Sequence, residues 1–313
     1  MIVKTIRIGS RGSLLALTQT NWVKERLKEA NPDCHFEIVK IKTRGDQILD
    51  RSLAKVGGKG LFIKEIEQAL LDGQIDLAVH SLKDMPARVP EGLKIGAITN
   101  REDPRDVLIT KTGVTLSELP LKARIGTSSL RRKALLLAYR QDLIIVPIRG
   151  NIHTRLRKLE EENLDGIILA AAGLNRMGWR DRVSQYLDPD FFIPAVGQGA
   201  LAIEIREDDT YISQLVAGLD HSETRAAVTA ERGLLERLEG SCQIPVGAYG
   251  RCQGQIVTLT GFVADLTGSR VIRRTKQSLK GDAHKLGIEL AEIILAEGGT
   301  ELLTEIKQEL KKK

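Results

Sequence analysis

Short apolar runs followed by turns and helical stretches recur along this chain, and that alternation constrains its fold more than any other feature. Residues 6–9 form a strand-like run, and residues 13–27 then carry apolar side chains at spacings of three and four. A strand at 37–41 follows, then a helix at 61–70 and a strand at 76–80. The theme returns as strand 124–126, helix 130–140, strand 143–147, helix 152–161 and strand 166–170. Strands alternating with helices specify an α/β architecture with a largely parallel sheet in each unit. A length of 313 residues exceeds what one compact core accommodates.

Two segments read as connections between units, residues 99–105 and 194–204. The second ends in a strand-like run at 200–205 that returns to the first sheet. Two connections between two α/β units make a hinged pair with a cleft, an arrangement resembling periplasmic binding proteins. From residue 218 the pattern changes to a helix at 224–238, strands near 246–251, 255–263 and 270–278, and a helix at 282–297. The expected division is a first α/β domain of residues 1–99 and 200–217, a second of residues 100–199, and a smaller α+β domain of residues 218–313 that carries Cys242.

The net charge of +6 is uneven: the basic excess lies within residues 1–199, and the remainder is slightly acidic. That points to an anionic ligand in the first two-thirds, yet the excess is too dilute for a DNA-binding face. An aromatic content of 4% leaves few stacking platforms for single-stranded nucleic acid. Three cysteines, Cys34, Cys242 and Cys252, are too few and odd in number for a disulfide framework, which indicates a reducing compartment. Without a Cys-x-x-Cys pair and with five scattered histidines, no zinc site is expected. The first nine residues read as a strand rather than a signal peptide, and no apolar run approaches a membrane span. The expectation is a soluble cytoplasmic protein.

Chemistry concentrates at the turns. In Gly126-Thr127-Ser128-Ser129-Leu130-Arg131-Arg132-Lys133 a strand enters three hydroxyl residues and then a helix. Free N–H groups at such a helix start bind anions, while a Ser/Thr cap explains the hydroxyls equally well. Positive charge in the first helical turn opposes the dipole unless an anion compensates it. Arg149 and Arg155 repeat the arrangement after the next strand, and Arg176 follows a third. Ligands of open α/β sheets collect at such carboxyl ends. Gly9-Ser10-Arg11-Gly12-Ser13 offers one arginine beside a glycine turn and a serine cap. Gly57-Gly58-Lys59-Gly60 lacks the P-loop spacing. Residues 47–59 read instead as a mobile loop whose Lys55 and Lys59 approach an anion on closure. Lys83-Asp84 ends another strand: a carboxylate aimed into a cationic site can give a proton and stabilise positive charge, although a surface ion pair accounts for it too. His80 reads as a packed histidine rather than a base. Cys242, in Gly240-Ser241-Cys242-Gln243-Ile244-Pro245, is either a small buried residue or an attachment point.

The chain resembles the hydroxymethylbilane synthase family, also called porphobilinogen deaminases, nearly end to end. The resemblance rests on Ile8-Gly9-Ser10-Arg11-Gly12-Ser13, Lys42-Thr43-Arg44-Gly45-Asp46, Val79-His80-Ser81-Leu82-Lys83-Asp84, Gly126 to Arg132, Arg149-Gly150-Asn151, Pro194-Ala195-Val196-Gly197-Gln198-Gly199 and Gly240-Ser241-Cys242. It implies a transferase that condenses porphobilinogen units head to tail with release of ammonia, giving the linear tetrapyrrole hydroxymethylbilane for porphyrin and haem biosynthesis. It also implies a dipyrromethane cofactor tethered to Cys242 by a thioether, with Asp84 as the catalytic carboxylate. Lys83, Asp84, Thr127, Ser129, Arg131, Arg132 and Arg155 would hold the cofactor. Arg11, Ser13, Lys55, Lys59, Arg149, Arg155, Arg176 and Gln198 would hold the substrate and growing chain. A monomer without nucleic-acid or membrane partners is implied. A hinged anion-binding protein without catalysis is the alternative, and it gives no role to Cys242 or Asp84.

Overall fold

A computed structural model describes residues 4–43, 63–238 and 244–311. Cys242, Lys55, Lys59 and the expected loop at 47–59 lie outside the described residues. By internal packing the chain divides into two compact units, Met1–Glu102 with Gly199–Arg225, and Asp103–Gln198 with Ala226–Lys313.

The first unit is built from β1 (Lys4–Arg11), α1 (Leu14–Ala30), β2 (Cys34–Ile41), α2 (Lys64–Leu71), β3 (Leu77–Ser81) and β4 (Leu93–Ile98). β10 (Leu201–Arg206) and α6 (Thr210–Ala217) complete it. Its sheet runs β2-β1-β3-β10-β4. β1 is parallel to β2 and β3, whereas β10 is antiparallel to both β3 and β4. On one face Ile8, Leu77, Val79, Ile203 and Ile205 pack with Val23 and Leu27 of α1 and Val216 of α6. Ala78 and Leu93 pack with Ile66, Ala69 and Leu70 of α2 in a separate cluster.

The second unit contains β5 (Asp106–Thr110), β6 (Arg124–Gly126), α3 (Leu130–Tyr139), β7 (Ile144–Val146), α4 (Ile152–Glu161), β8 (Gly166–Ala170), α5 (Ala171–Arg176) and β9 (Gln185–Tyr186). The sheet order is β7-β6-β8-β5-β9, with β6 parallel to β7 and β8, and β5 antiparallel to β8 and β9. Both sheets are therefore mixed, where the alternation suggested largely parallel ones. Parallel neighbours need a crossover, normally a helix, and the helices supply it around β1 and β6. β5 and β10 instead enter from the connections near residues 99–105 and 194–204, which frees them to run the other way.

The same unit carries an antiparallel sheet, β11 (Val246–Gln253), β12 (Ile256–Ala264) and β13 (Val271–Leu279), with α7 (Ser222–Arg237) from Ala226 onward, α8 (Ala283–Ile294) and α9 (Thr300–Lys311). Leu259 and Val263 of β12 meet Leu234 of α7 and Leu286, Leu290 and Ile294 of α8. The helices approach closely where Gly287 leaves no room for a side chain, since an added Cβ would lie 2.1 Å from the carbonyl oxygen of Ala230. The helix expected at 282–297 forms and ends where Glu297 and Gly298 leave helical geometry, Gly298 with φ +104°; α9, which was not expected, follows. Phe262 and Ala264 reach the core formed by Leu108, Ile125, Leu136 and Ile168, which joins this sheet to the second α/β sheet. No helix among the described residues is long and apolar enough to cross a membrane.

Candidate active site

In the first unit β1 and β3 are parallel neighbours, so their carboxyl ends lie side by side. Arg11 and Ser13 leave one end; Ser81, Lys83 and Asp84 leave the other. Arg11, Gln19, His80, Ser81 and Asp84 line one recess of about 20 Å³. Ser13 caps α1 by accepting from the Ala16 amide at 3.3 Å. Ser81 Oγ donates to Gln19 Oε1 at 3.1 Å. Residues Leu82–Asp84 form one turn of 3-10 helix, pinned where the Leu82 amide donates to the carbonyl of Ala200 at 3.0 Å. That turn leaves Asp84 exposed at the rim and Lys83 half-buried.

In the second unit β6, β7 and β8 are parallel and adjacent, and this brings three strand ends to one sheet edge. Thr127 to Arg132 follow β6, Arg149 to Arg155 follow β7, and Arg176 closes α5 after β8. Ser129 caps α3, accepting from the Arg132 amide, and Thr127 Oγ1 accepts from the Ser129 amide at 3.2 Å. Asn151 caps α4 through the Thr154 amide at 2.9 Å. Before it, Gly150 has φ +113°, and a Cβ there would sit 2.5 Å from Thr154, so the turn admits only glycine. The freed Gly150 carbonyl accepts from Arg155 Nε at 2.8 Å. Arg149 and Arg176 are half-buried at the neighbouring ends. The capping explanation of the hydroxyls therefore holds, and the arginines are gathered as well.

Arg131 and Arg132 are buried at the start of α3. They are 5% and 6% exposed, against a fully buried Asp106 at the start of β5. Arg131 Nη1 lies 2.7 Å from Asp106 Oδ2 and donates to the carbonyl of Ile193 at 2.7 Å. Arg132 donates twice to Asp106 Oδ1, at 3.0 and 2.7 Å, and to the carbonyl of Ile168 at 2.8 Å. The anion that offsets charge in the first turn of α3 is thus a protein carboxylate. Burial pushes the Asp106 carboxyl up, but Arg131 and Arg132 outweigh it and hold it down at about 2. Gln198, assigned from sequence to substrate contact, is also buried; its amide nitrogen donates to Pro104 O at 2.7 Å and Asp106 Oδ1 at 3.1 Å. Its visible work is to support the arginine pair.

His80 is packed as expected. It is 5% exposed and its Nε2 lies 3.0 Å from Oε2 of Glu204, which is fully buried in β10. Asp106 and Glu204 were both overlooked in the sequence. The available signal was a lone acid heading or interrupting an apolar strand, as in Asp-Val-Leu-Ile-Thr and Leu-Ala-Ile-Glu-Ile. Charged residues in such buried strands require partners.

Fold and strand ends define a class: a two-unit α/β protein with arginine- and hydroxyl-bearing loops at the carboxyl ends of its parallel strands. Residues 6–214 match the family model "Porphobilinogen deaminase, dipyromethane cofactor binding domain", and residues 225–296 match "Porphobilinogen deaminase, C-terminal domain". A porphobilinogen deaminase of Geobacter metallireducens is 55% identical over 308 residues, covering 98% of this chain and 96% of the relative. One from Trichlorobacter lovleyi is 55% identical over 308 residues and covers 98% of both. Among solved structures the chain is similar to an arginine-specific periplasmic binding protein of Salmonella typhimurium, with a TM-score of 0.41, 14% identity and coverage of 69% and 92% respectively. The chain belongs to the porphobilinogen deaminase family, and its first matched region is a dipyrromethane cofactor-binding domain.

Proposed function

We propose that the chain condenses four porphobilinogen molecules head to tail, releasing one ammonia at each step, to give the linear tetrapyrrole hydroxymethylbilane for porphyrin and haem biosynthesis. The observation that carries this reading is the shared recess of Asp84 and Arg11 at the ends of β1 and β3. There Asp84, an exposed acid, and Arg11 line the same wall. The carboxylate protonates the departing amine, accepts the proton lost by the ring carbon, and stabilises positive charge on pyrrole nitrogen. The guanidinium holds a substrate carboxylate in a fork.

The donors fit a dipyrromethane, whose acetate and propionate groups call for guanidinium, hydroxyl and amide N–H partners. Lys83, Asp84, Thr127, Ser129, Arg131, Arg132 and Arg155 hold it, the buried pair through the N–H groups not taken by Asp106 and the main chain. Arg11, Ser13, Lys55, Lys59, Arg149, Arg155 and Arg176 take the substrate and the lengthening chain, with Gln198 acting through Asp106. When bound, the cofactor supplies the electron-rich ring end from which the chain grows. Its thioether to Cys242, in a domain of residues 218–313, keeps each intermediate at the site and raises its effective concentration. The protein works as a cytoplasmic monomer on small pyrroles, without nucleic acid.

Intact mass of the denatured protein beside its Cys242→Ala variant tests the tether. The expected parent carries added mass equal to two linked pyrrole units, absent from the variant. A parent that stays unmodified after incubation with porphobilinogen, and releases no ammonia, overturns the proposal.

A further inference from the structure

Behind the recess that holds Asp84 lies a buried trio of ionisable groups that the proposed chemistry does not use. In the register of β3 and β10, His80 stands opposite Ala202, and Glu204 stands opposite Ala78. The two alanines leave space in which imidazole and carboxylate meet diagonally, Nε2 to Oε2 at 3.0 Å. Glu67 of α2, only 8% exposed, joins them. Burial, then the Glu204 charge, pushes its carboxyl up, while His80 and Lys64 pull it down. Oε1 of Glu67 and Oε1 of Glu204 have no hydrogen bond among the described residues. No metal-binding group of three or more His, Cys, Asp or Glu side chains occurs among the described residues.

Such a cluster is costly as mere structure. An ion pair buried in a sheet is commonly matched or bettered by apolar packing, and unsatisfied carboxylate oxygens add a desolvation penalty. A recess wall is where such an expense is returned as function. His80 lines that wall together with Asp84 and Arg11. With Nε2 committed to a carboxylate, the ring has a fixed orientation.

We propose that His80, held by Glu204 beside the buried Glu67, is a positioning residue for the reaction, setting the field in which Asp84 gains and loses its proton. This rests on the assignment of Asp84 above. Each condensation forms one C–C bond and breaks one C–N and one C–H bond. The ring proton balances the proton that leaves on ammonia, so Asp84 must serve alternately as acid and base. The buried trio contributes to the field governing both states. The charged groups around it are Glu204 on β10, Glu67 and Lys64 on α2, Arg11 on β1 and Asp84 after β3; Lys94 of β4 is engaged elsewhere, on the carbonyl of Glu207.

The test is the pH dependence of ammonia release from porphobilinogen by cofactor-loaded parent, His80→Gln and Glu204→Gln proteins, with loading checked by intact mass. The expected kcat falls about tenfold in both variants with KM within about twofold, the split for an effect on the chemical step. Removing the buried anion in Glu204→Gln moves the acid limb to lower pH, and His80→Gln does not move it that way. Profiles that superimpose on the parent's after scaling, or an upward shift in Glu204→Gln, overturn the proposal. Should Glu204→Gln not fold, Glu67→Gln gives the same reading, with a smaller downward shift expected. Asp84→Asn beside them separates the two assignments. Retained turnover there removes the role of Asp84 and this inference together. Lost turnover there, with superimposed profiles in the other variants, removes this inference alone.

Discussion

Each α/β sheet buries charge behind its strand ends, but the two do so with opposite balance. In the second unit one carboxylate, Asp106, faces two guanidiniums and an amide, and the guanidiniums have further carbonyl partners at Ile193 and Ile168. In the first unit Glu204 meets one imidazole, Glu67 lies within reach of both their charges, and each carboxylate keeps an unsatisfied oxygen. The first arrangement leaves cations in surplus and fixes the start of α3. The second leaves anions in surplus beside a proposed acid–base group. A surplus of buried cation suits a wall that receives carboxylates; a surplus of buried anion suits one that controls a proton.

The most direct way to break this contrast is Asp106→Asn. It strands two buried guanidiniums without a counter-charge, and removing one partner of a buried ion pair costs about 3–5 kcal/mol. Urea denaturation at pH 7 should show a loss of that size. A loss below about 1 kcal/mol would mean that Asp106 does not compensate the arginines, and the two clusters would then be alike.

How far these clusters were legible in the sequence follows from what periodicity encodes. The bounds of β6, α4 and β8 follow directly from apolar spacing, and the start of α3 from the local capping signal at Ser129. The return of β10 to the first sheet was also visible, as an apolar run after the 194–204 connection. Its direction was not, since antiparallel pairing beside β3 and β4 is decided by tertiary contacts. α9 has no counterpart in the sequence reading, which ends its last helix at residue 297, just before the Gly298 kink. The arginines were placed at the right strand ends, yet the burial of Arg131 and Arg132 depends on Asp106, distant in sequence and brought near by the pairing of β5 with β8. A partner of that kind has no local signature beyond an acid at the edge of an apolar run.

A second prediction sharpens the contrast through pH. The folded-state carboxyl of Asp106 is lowered to about 2 from an ordinary 3.8. A lowered acid contributes stability that is fully present above its unfolded value and is lost as pH falls through the folded one. About 2 kcal/mol should therefore disappear between roughly pH 4 and pH 2. Other carboxylates that burial pushes up but arginines hold down on balance, Asp76 and Asp103 among them, act in the same direction. The informative quantity is thus the gap between parent and Asp106→Asn, which should narrow as pH falls below 4. A gap constant from pH 7 to pH 3 would show that the arginines do not hold Asp106 ionised.

The smallest effect has the opposite sign and comes from the other cluster. Burial, then Glu204, raises the Glu67 carboxyl above its ordinary 4.5. A raised acid contributes its stability below the unfolded value and loses it as pH rises through the folded one. At neutral pH an ionised Glu67 therefore works against the fold, and Glu67→Gln removes that penalty while keeping the shape. The melting temperature should rise at pH 8, on the order of 1 °C for a chain of this size, and stay unchanged at pH 4. An equal shift at both pH values would assign the change to packing instead of charge. A fall at pH 8 would show that ionised Glu67 has a partner that outweighs its burial, and the anion surplus of the first unit would then be no surplus. The expected pattern, a gain confined to high pH, is what a cluster kept for proton control predicts: the protein gives up stability at the pH where the chemistry runs.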